Sequence, residues 1–594
     1  MQLKKTKYTE LDYFKIPFTV APFSSFFILL LGSITAFIPS FSVFITADLI
    51  DSATKILNDG AEKSIIMTPI LLICALQSYY FFSYTIQSIF NFRLGRRLTL
   101  FFRTEVVKKR GSLAYKYIED NDTWDLISRA AGNCESNITG GFNNCLSILN
   151  LSLSAASVMA VVCSFSPVSA LILAMFLIPA FILAKKNGKR EYDAWKDAEK
   201  IRRRSWVYEG IINGRESVEE RTMFGYSKKI DEKWYELYEK ARKLELKASF
   251  KSFLNNHGMN ICAIIVCGIS IGFMLYSFSN GAMSSGTAIG LGGAILSLAG
   301  IFSWNISSVF QSFVKTHEYL VDFTKFCNLD EEAGALDAPF DALTKAETVE
   351  FKNVTFAYPN TEIKILNNLS FKLDTSKTYA FVGINGAGKT TIIKLLTGLY
   401  KNYEGEIFIN GKEIRDYTYS ELKAFFSVVY QDFAKYEVSL KECIALGNVN
   451  KTDDDEIKTA ISTIDLEGEL SRFEKGLDTN LGKTREGGTD VSGGQWQRIA
   501  LARSLVSPAT IRVLDEPTSA LDPIAESKIY EMFGRTKKHL MTILITHRLG
   551  AARISDEIFV LKDGAVIEKG SHEELLKLNG LYAEMFEAQR SWYL

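Results

Sequence analysis

A glycine-rich segment with the pattern of a phosphate-binding loop lies in the second half of the chain. Residues 383–390 read GINGAGKT, after the strand-like run 379–382 and before an apolar-periodic helix. The glycines let successive backbone N–H groups point into one concavity, at the positive end of the helix dipole. In such a loop Lys389 would reach the β- and γ-phosphates of a nucleotide, and the Thr390 hydroxyl would ligate Mg²⁺. The segment therefore predicts binding of a nucleotide through its phosphates.

Two adjacent carboxylates close a second strand-like run, some 125 residues beyond Thr390. Residues 511–516 read IRVLDE, so Asp515 and Glu516 stand at the end of the run. One carboxylate can hold the shell of a Mg²⁺ ion while the next polarises an attacking water. The run continues into PTSALD at 517–522, and VSGGQ at 491–495 opens an amphipathic helix before it. A second glycine-rich helix N-terminus also suits phosphate, so the combined pattern predicts nucleotide hydrolysis.

In combination these motifs resemble those of ATP-binding cassette exporters, in which one membrane domain is fused to one nucleotide-binding domain. The resemblance covers essentially the whole chain. It implies that two such chains dimerise head to tail, with ATP held between the phosphate-binding loop of one and the SGGQ segment of the other. It also implies ATP and Mg²⁺ as cofactors, and a translocase ATPase activity.

The resemblance further implies a role for each motif residue. Glu516 would be the general base, with His547 in ILITHRL contacting the γ-phosphate and positioning that base. Taken alone, His547 and Tyr358 would more often be structural residues at strand ends. The residues implied to contact ATP are Tyr358, Gly383, Ile384, Asn385, Gly386, Ala387, Gly388, Lys389, Thr390, Thr391, Gln431, Ser492, Gly493, Gly494, Gln495 and Asp522. The residues implied to hold the metal are Thr390, Gln431 and Asp515.

Three positions depart from the usual pattern of that family. Arg512 stands where the strand is usually apolar, which predicts either a less buried strand or an arginine that snorkels to solvent. Val491 replaces the commoner Leu at a packing position. Residues 484–490, TREGGTD, lack the usual acidic-Gly-Glu-Arg pattern, which leaves open how this stretch meets the membrane domain. None of the three removes a catalytic group.

The composition divides the chain into two kinds of sequence. The net charge over 594 residues is zero, which argues against nucleic acid as the main partner. Before about residue 325 long apolar runs recur, and after about 345 short β-rich runs alternate with amphipathic helices. We therefore expect a six-helix transmembrane α bundle with long cytoplasmic extensions at 1–325, a linker at 326–346 and an α/β P-loop nucleotide-binding domain at 347–594.

Six apolar stretches are long enough to cross a bilayer, which takes about 20 residues of helix. They are centred on 18–48, 64–90, 140–165, 167–185, 258–279 and 287–313. Basic clusters, such as Lys185, Lys186 and Arg190, fall on one face of the membrane if the six helices alternate. The positive-inside rule then places both termini and the nucleotide-binding domain in the cytoplasm.

Helical pattern continues past two of these stretches, over 64 to about 110 and over about 168–212. A helix of the first size would be roughly 70 Å long, about twice a bilayer core, and must project into the cytoplasm. Polar breaks follow at 117–130 and 213–226. A small transverse helix in each break could touch a cytoplasmic domain, and a merely solvated loop is the alternative.

The resemblance implies ATP-driven export. The sequences of residues 492–505 and 515–526 most resemble those of bacterial exporters of ribosomal peptides such as lantibiotics and bacteriocins. Lipid or glycolipid flipping and multidrug efflux are alternatives, as is an ATP-gated channel or regulator. The complete set of ATPase residues favours a homodimer over a heterodimer, in a bacterial plasma (inner) membrane. The polar residues considered for a substrate cavity are Asn133, Asn137, Asn143, Asn144, Asn255, Asn256, His257 and Asn305.

Overall fold

The computed structural model describes residues 3–214, 217–300, 306–340, 345–449, 453–470, 473–482, 487–518, 520–535 and 540–591. The chain forms two compact units. The first comprises Met1–Val107 and Asp125–Leu329, and the second comprises Lys108–Trp124 and Asp330–Leu594. The second unit therefore includes a short stretch of chain from within the helical half.

The first unit is built of helices, most of them long. Local sequence sets some of their ends: Pro22 begins its helix at a position that needs no N–H donor, and Gly60 closes the same helix at φ 65°. Along the chain to Asn328 the helices are α1 (Asp12–Val20), α2 (Pro22–Asp59), α3 (Met67–Ser112), α4 (Tyr115–Glu119), α5 (Asn121–Ala131), α6 (Cys134–Phe165), α7 (Pro167–Asn213), α8 (Val218–Phe224), α9 (Ser227–Ser279), α10 (Ser285–Gly300) and α11 (Ile306–Asn328).

Helices carry the predicted membrane stretches. Within the described residues, four helical segments are long and apolar enough to cross a membrane: Pro22–Asp59, Lys63–Ser112, Cys134–Phe165 and Ser227–Ser279. Shorter apolar stretches cover Pro167–Phe176 of α7 and Ser285–Leu298 of α10. The sixth predicted stretch, 287–313, runs over residues 301–305, which lie outside the described residues.

The long helices that the sequence predicts beyond the membrane stretches are confirmed. Helix α3 has 46 residues and α7 has 47, which gives each a length of about 70 Å at 1.5 Å per residue. The predicted break at 117–130 holds α4 and α5, and the break at 213–226 holds α8. Short helices, and not plain loops, therefore follow both long helices.

The second unit combines two sheets with helices. Its strands are β1 (Thr348–Ala357), β2 (Lys364–Asp374), β3 (Thr378–Gly383), β4 (Glu404–Ile409), β5 (Lys412–Glu413), β6 (Phe426–Val429), β7 (Ile511–Asp515), β8 (Met541–Ile545), β9 (Glu557–Lys562) and β10 (Ala565–Gly570). Its helices after β1 are α12 (Lys389–Leu396), α13 (Tyr419–Phe425), α14 (Leu440–Ala445), α15 (Asp454–Thr463), α16 (Glu467–Leu470), α17 (Gly493–Leu505), α18 (Pro523–Arg535), α19 (Leu549–Ala552), α20 (His572–Leu578) and α21 (Leu581–Arg590).

A six-stranded sheet in the order β10-β9-β3-β8-β7-β6 forms the centre of this unit, beside a four-stranded antiparallel sheet in the order β2-β1-β4-β5. Strands β9, β3, β8, β7 and β6 are parallel, and every residue of β3, β7 and β8 is buried. Parallel strands covered on both faces are mostly apolar, and β3, β7 and β8 follow this pattern apart from a few polar residues such as Arg512. Because their carboxyl ends meet at one edge, the loops after β3, β7 and β8 come together there.

The expectation that the β7 strand is less buried, or that Arg512 snorkels to solvent, is wrong. All five residues of β7 are buried, and Arg512 is only 5% exposed. Its guanidinium carbon lies 5.6 Å from the centroid of the Phe533 ring, and burial lowers the pKa of Arg512 to about 10. Arg512 Nε is buried and has no hydrogen-bond partner within the described chain. Of the other departures, Val491 is buried, and residues 484–486 lie outside the described residues.

Helix α4 packs against α12 and the turn that follows it, in its own unit. Glu119 accepts a hydrogen bond of 2.6 Å from Lys394 Nζ and another from the Tyr400 hydroxyl, and the rings of Tyr115 and Tyr400 meet edge to face at 5.5 Å. Burial alone would raise the pKa of Glu119, but the hydrogen bonds from Lys394 and Tyr400 outweigh it and lower that pKa. A small helix in the 117–130 break thus contacts a folded part of the chain beyond the helical half, at Glu119, and is not merely a solvated loop.

Candidate active site

The phosphate-binding loop joins a buried strand to a helix, as its sequence predicts. Strand β3 ends at Gly383 and α12 begins at Lys389. Gly388 has φ 94°, and a Cβ at this position would lie 2.6 Å from Leu366 Cδ2. Only glycine fits here without a shift of its neighbours. Residues 384–386 are exposed while Ala387 is buried, so the crest of the loop is open to a ligand in front of the helix N-terminus.

Lys389 lies folded back onto this loop. Its ammonium group donates hydrogen bonds to the carbonyl oxygens of Gly383 at 2.9 Å and Ile384 at 3.0 Å. The side chain is buried, and this burial lowers the pKa of Lys389, although Glu516 and Asp515 nearby act in the opposite direction. Two backbone carbonyls therefore hold a cation where the motif predicts contact with phosphate oxygens.

Thr390 and Asp515 bring two oxygen ligands together across two elements. The Thr390 hydroxyl, in the first turn of α12, donates to Asp515 Oδ2 at 3.1 Å, at the end of β7. Burial raises the pKa of Asp515 to about 6, against the opposing effects of Thr390 and Lys389. Mg²⁺ prefers oxygen ligands and is usually held by one or two side chains together with substrate phosphates and water. This pair fits such an ion.

Both carboxylate oxygens of Glu516 have partners, and its backbone is hydrogen-bonded as well. Its Oε1 lies 3.2 Å from His547 Nε2, and its Oε2 accepts from Gln431 Nε2 at 3.4 Å. Its backbone has φ 47°, a strained value for a non-glycine residue, and its N–H donates to the Ile545 carbonyl at 2.9 Å. Burial and the charge of Lys389 lower the pKa of His547, against the opposing charge of Glu516. The three predicted residues of this cluster are therefore adjacent.

Tyr358 lies beside the phosphate-binding helix. Its hydroxyl is 3.0 Å from the Thr391 hydroxyl, and its ring packs edge to face on Phe356 at 5.1 Å and on Tyr400 at 5.5 Å. Lys394 Nζ lies 5.2 Å from the centroid of the Tyr358 ring. The ring is only partly buried, so it remains accessible to a flat ligand.

The SGGQ segment forms the capped start of α17. The Ser492 hydroxyl accepts from Gln495 N at 3.3 Å, and Gln495 Oε1 accepts from Ser492 N at 2.7 Å, which is a capping box. Among the described residues, a Cβ on Gly493 would meet Ala520 Cβ alone, at 4.0 Å, and one on Gly494 would lie 3.0 Å from the Ala520 carbonyl oxygen. Ser492 and Gln495 thus bond to each other and leave the glycine turn open.

Asp522 caps the next helix. Its Oδ1 accepts from the backbone N–H groups of Ile524 at 3.0 Å and Ala525 at 2.9 Å, and these bonds lower the pKa of Asp522. Its Oδ2 lies 3.9 Å from an Arg498 nitrogen on α17. Asp522 therefore links the start of α18 to the helix that begins with the SGGQ segment.

Gln497 is a functional candidate that the sequence analysis missed. Its side-chain amide donates to the Glu516 carbonyl at 3.2 Å and accepts from Ala520 N at 2.8 Å. It is only 1% exposed, among the buried residues of α17, which are apolar apart from Gln497 and Ser504. A glutamine on the buried face of an amphipathic helix is the signal that could have revealed it, because a buried amide needs hydrogen-bond partners.

Gln589 on the C-terminal helix α21 is a second missed residue. Its side-chain oxygen accepts from Leu549 N at 2.9 Å, and its side-chain nitrogen donates to the His547 carbonyl. It thus brackets the turn that carries His547. No local sequence pattern marks this contact, since 42 residues separate the two partners.

Comparison with known proteins agrees with this geometry. Residues 366–519 match the family model described as ABC transporter. The chain is 30% identical to the subtilin transport ATP-binding protein of Bacillus subtilis over 97% of its own length and 93% of the relative's. It is 26% identical to the nisin transport ATP-binding protein of Lactococcus lactis subsp. lactis over 97% and 95% of the two chains.

Two further similarities extend this picture. An ATP-dependent lipid A-core flippase of Escherichia coli (strain K12) is 37% identical, but over only 41% of each chain. A bacterial Atm1-family ABC exporter, solved with ATP bound, is similar in fold with a TM-score of 0.79, covering 95% of this chain and 97% of that one at 22% identity. The fold match thus extends over nearly the whole length of both chains.

Proposed function

The chain belongs to the ABC transporters and exports its substrate by ATP hydrolysis, and from that premise we propose that its cargo is a peptide and its working form a homodimer. The proposal of a peptide cargo rests on how much of this chain is similar to each relative. Relatives named for subtilin and nisin transport match over nearly the whole chain, whereas the lipid A-core flippases match over less than half. Similarity that includes the helical half is the kind that bears on cargo, because cargo crosses the membrane there.

We propose that ATP binds with its phosphates on residues 383–391 and its adenine against Tyr358. Lys389 is positioned to exchange the carbonyls of Gly383 and Ile384 for phosphate oxygens. Such an exchange needs no new positive charge in the site, because the buried ammonium is already present. Thr390, Asp515 and Gln431 would hold Mg²⁺, which when bound neutralises charge on the β- and γ-phosphates.

Hydrolysis in this proposal depends on Glu516 as general base. Its carboxylate lies between His547 and Gln431, and its strained backbone is fixed by Ile545 and Gln497. Such a carboxylate can accept a proton from water attacking the γ-phosphate. His547 can donate a hydrogen bond through Nε2 to Glu516 or to the γ-phosphate. In this proposal Gln431 and His547 orient the water, and Glu516 accepts its proton.

The proposed dimer follows from the two segments that would contact ATP, the phosphate-binding loop of one chain and the SGGQ segment of the other. The SGGQ segment of residues 492–495, with Asp522, would close over ATP bound to a second copy of the chain. ATP then favours the closed dimer, and hydrolysis resets it. The proposal also includes a membrane domain at 1–325, a linker at 326–346 and a nucleotide-binding domain at 347–594. It places the protein in a bacterial plasma membrane, and the positive-inside rule places both termini in the cytoplasm.

The role of Glu516 is tested by Glu516→Gln. This variant should bind ATP normally, lose at least about a hundredfold in ATPase rate, and accumulate as a dimer with retained ATP. Gel filtration with labelled ATP measures the trapped state. The exposed Glu347→Gln is the matched control and should leave turnover unchanged. Normal hydrolysis by Glu516→Gln would remove Glu516 from the role of base.

The cargo is tested in proteoliposomes that hold the full-length chain. Nisin and subtilin should stimulate ATP hydrolysis and accumulate in the vesicle lumen against a gradient, and lipid A should not stimulate it. Stimulation by lipid A alone would favour the flippase alternative. Conductance without uphill movement of peptide would favour an ATP-gated channel.

A further inference from the structure

The loop that follows β7 holds the proposed base in an unusual backbone conformation. Glu516 has φ 47°, in the left-handed region that residues other than glycine rarely adopt. It also precedes Pro517, and contact with a proline ring favours an extended conformation, with φ of about −120°, in the residue before it. Both local preferences oppose the observed conformation of Glu516, so contacts from other elements must hold it there.

Two hydrogen bonds fix the backbone of Glu516, one on each side of its Cα. Its N–H donates at 2.9 Å to the carbonyl of Ile545, the last residue of β8. Its carbonyl accepts from Gln497 Nε2 on α17 at 3.2 Å. Because the two peptide groups beside a Cα determine where its side chain points, these bonds set the direction of the Glu516 carboxylate.

Gln497 also holds the far end of the same loop. Its Oε1 accepts from Ala520 N at 2.8 Å, so one side-chain amide spans the loop from residue 516 to residue 520. Pro517, inside this span, has no N–H to contribute. Gln497 is buried, and hydrogen bonds shielded from water are stronger than exposed ones. The shape of the loop therefore depends on a side chain from another element.

The helix that carries Gln497 is the one that begins with the SGGQ segment. Gln497 lies about one turn beyond Gly493 in α17, and a Cβ on Gly494 would lie 3.0 Å from the Ala520 carbonyl oxygen. The first turn of α17 thus packs on the loop that Gln497 spans. In the proposed dimer this helix start closes over the ATP of a second copy, whereas the hydrogen bonds of Gln497 lead to the Glu516 of its own chain.

The side chain of Glu516 shows what these backbone bonds control. Its two carboxylate oxygens lie 3.2 Å from His547 Nε2 and 3.4 Å from Gln431 Nε2. Rotation of the Glu516 peptide would move both oxygens away from these partners together. Misplacement of a catalytic group by about 1 Å can cost about a hundredfold in rate. A bond to the backbone of the base can therefore control hydrolysis without touching ATP.

We propose that Gln497 is a positioning residue for ATP hydrolysis and that it acts on the Glu516 of its own chain. It holds the strained peptide of the base through the Glu516 carbonyl and ties the loop to α17 through Ala520. This inference rests on the proposed role of Glu516 as general base and names the residue that places that base. Loss of Gln497 should therefore slow the chemical step and leave ATP binding to residues 383–391 unchanged.

The first test is Gln497→Met in the full-length chain, because methionine has a similar length and no hydrogen-bond donor. In proteoliposomes the kcat for ATP hydrolysis should fall about ten- to hundredfold, while the KM for ATP stays within about twofold. Ser504→Ala is the control on the same helix, since its hydroxyl donates to the Leu501 carbonyl at 2.9 Å, and it should keep the wild-type kcat. A wild-type kcat in Gln497→Met would overturn the proposal.

Mixed dimers separate an effect on the chain's own base from a general loss of structure. Two dimers carry the same substitutions, Gln497→Met and Glu516→Gln, placed either in one chain or in opposite chains. With both in one chain, a single turnover of bound ATP should proceed as fast as in a dimer that carries Glu516→Gln alone in one chain. With the substitutions in opposite chains it should be about ten- to hundredfold slower, because the remaining Glu516 then lacks its Gln497.

Every other order of these rates contradicts the proposal. The reverse order would mean that Gln497 acts on the ATP site of the partner. Equal rates in the two dimers would mean that Gln497 positions neither base. Both results overturn the positioning role while Glu516 remains the base. Wild-type hydrolysis by the Glu516→Gln homodimer would instead remove the proposed base, and the role of Gln497 with it.

Discussion

Gly388 and Gly386 have similar backbone conformations but different surroundings. Gly388 has φ 94° and Gly386 has φ 82°, so a side chain at either position costs about 1–2 kcal/mol in the left-handed region. A Cβ on Gly388 would also meet Leu366 Cδ2 at 2.6 Å, whereas a Cβ on Gly386 meets no atom of the described part of the chain within 4 Å. The two positions therefore separate backbone strain from steric displacement of the loop.

We predict that Gly388→Ala weakens ATP binding at least about a hundredfold and Gly386→Ala about tenfold, because only the first must move the loop against β2. Titration of purified protein with a fluorescent ATP analogue measures both affinities, and the melting temperature checks folding. Equal losses in the two variants would mean that backbone strain, and not the contact with Leu366, makes glycine necessary at 388.

Arg512 has a charged side chain, yet it is buried, which costs free energy. A buried donor without an acceptor costs about 1–3 kcal/mol, and stacking of the guanidinium on Phe533 returns about 0.5–2 kcal/mol. These two effects nearly cancel. The arginine therefore contributes mainly by filling volume between β7 and α18, and its charge contributes little to stability.

We predict that Arg512→Met changes the free energy of unfolding by less than about 1 kcal/mol, because methionine fills the space and contacts the ring. Arg512→Ala leaves a cavity and should lose about 2–3 kcal/mol, or about 5–10 °C in melting temperature. Thermal unfolding of the detergent-solubilised chain, followed by intrinsic fluorescence, compares the two. A loss for Met as large as that for Ala would show that the guanidinium itself is needed.

At the scale of elements, α4 connects the end of α3 to the ATP site through one charged pair. Lys394 donates to Glu119 at 2.6 Å and lies near the rings of Tyr115 and Tyr358, at 5.6 and 5.2 Å. Lys394 is 17% exposed, so solvent screens this pair less than a surface pair. One ammonium group thus contacts both α4 and the tyrosine proposed to stack on adenine.

We predict that Lys394→Met and Glu119→Gln each reduce peptide-stimulated ATPase about three- to tenfold and change ATP hydrolysis without peptide less. The double variant should be no worse than the worse single variant, because residues in direct contact are not additive. Lys372→Met is the control, since its amine lies 3.9 Å from Asp374 in an exposed pair. Additive losses in the double variant would show that the two residues act separately.

Features formed by residues that are close together along the chain could be predicted from the sequence. The strand, glycine loop and helix around Lys389 are contiguous in sequence, and the lengths of α3 and α7 follow from apolar pattern without turn signals. A capping box at Ser492 and Gln495 is also a pattern of four consecutive residues. Features of this kind depend on neighbours along the chain, so they can be predicted without a fold.

Contacts between distant segments could not be predicted in this way. Gln589 meets the His547 turn only because α21 packs beside it, and Arg512 is buried because α18 covers β7. Among the asparagines of α6, packing against α2 holds the Asn150 amide against Gly32, while the Asn137 amide donates to the Asn133 carbonyl one turn earlier. Composition shows that a helix carries polar groups, but packing alone decides which of them meet.

At the scale of the whole molecule, the proposed ATP site is divided between two copies. Lys389 and Glu516 belong to the half formed by the loops after β3 and β7, and Gly493 belongs to the half that would close over the partner's ATP. Gly493→Glu should fold, because among the described residues a Cβ there meets only Ala520, at 4.0 Å, yet its carboxylate would repel phosphate. Lys389→Ala disables the other half. Each variant alone leaves a homodimer without a complete site.

A mixed dimer of these two variants should regain one complete site. One ATP site then contains both substitutions, Lys389→Ala from one chain and Gly493→Glu from the other. The second site contains the unchanged Lys389 and the unchanged Gly493. With Glu516→Gln in every chain to prevent hydrolysis, we expect about one retained ATP per mixed dimer, isolated through two affinity tags, and almost none in either parental homodimer. Retained ATP measured after rapid gel filtration decides this. Mixed dimers that retain no more ATP than their parents would mean that each chain builds its ATP site alone.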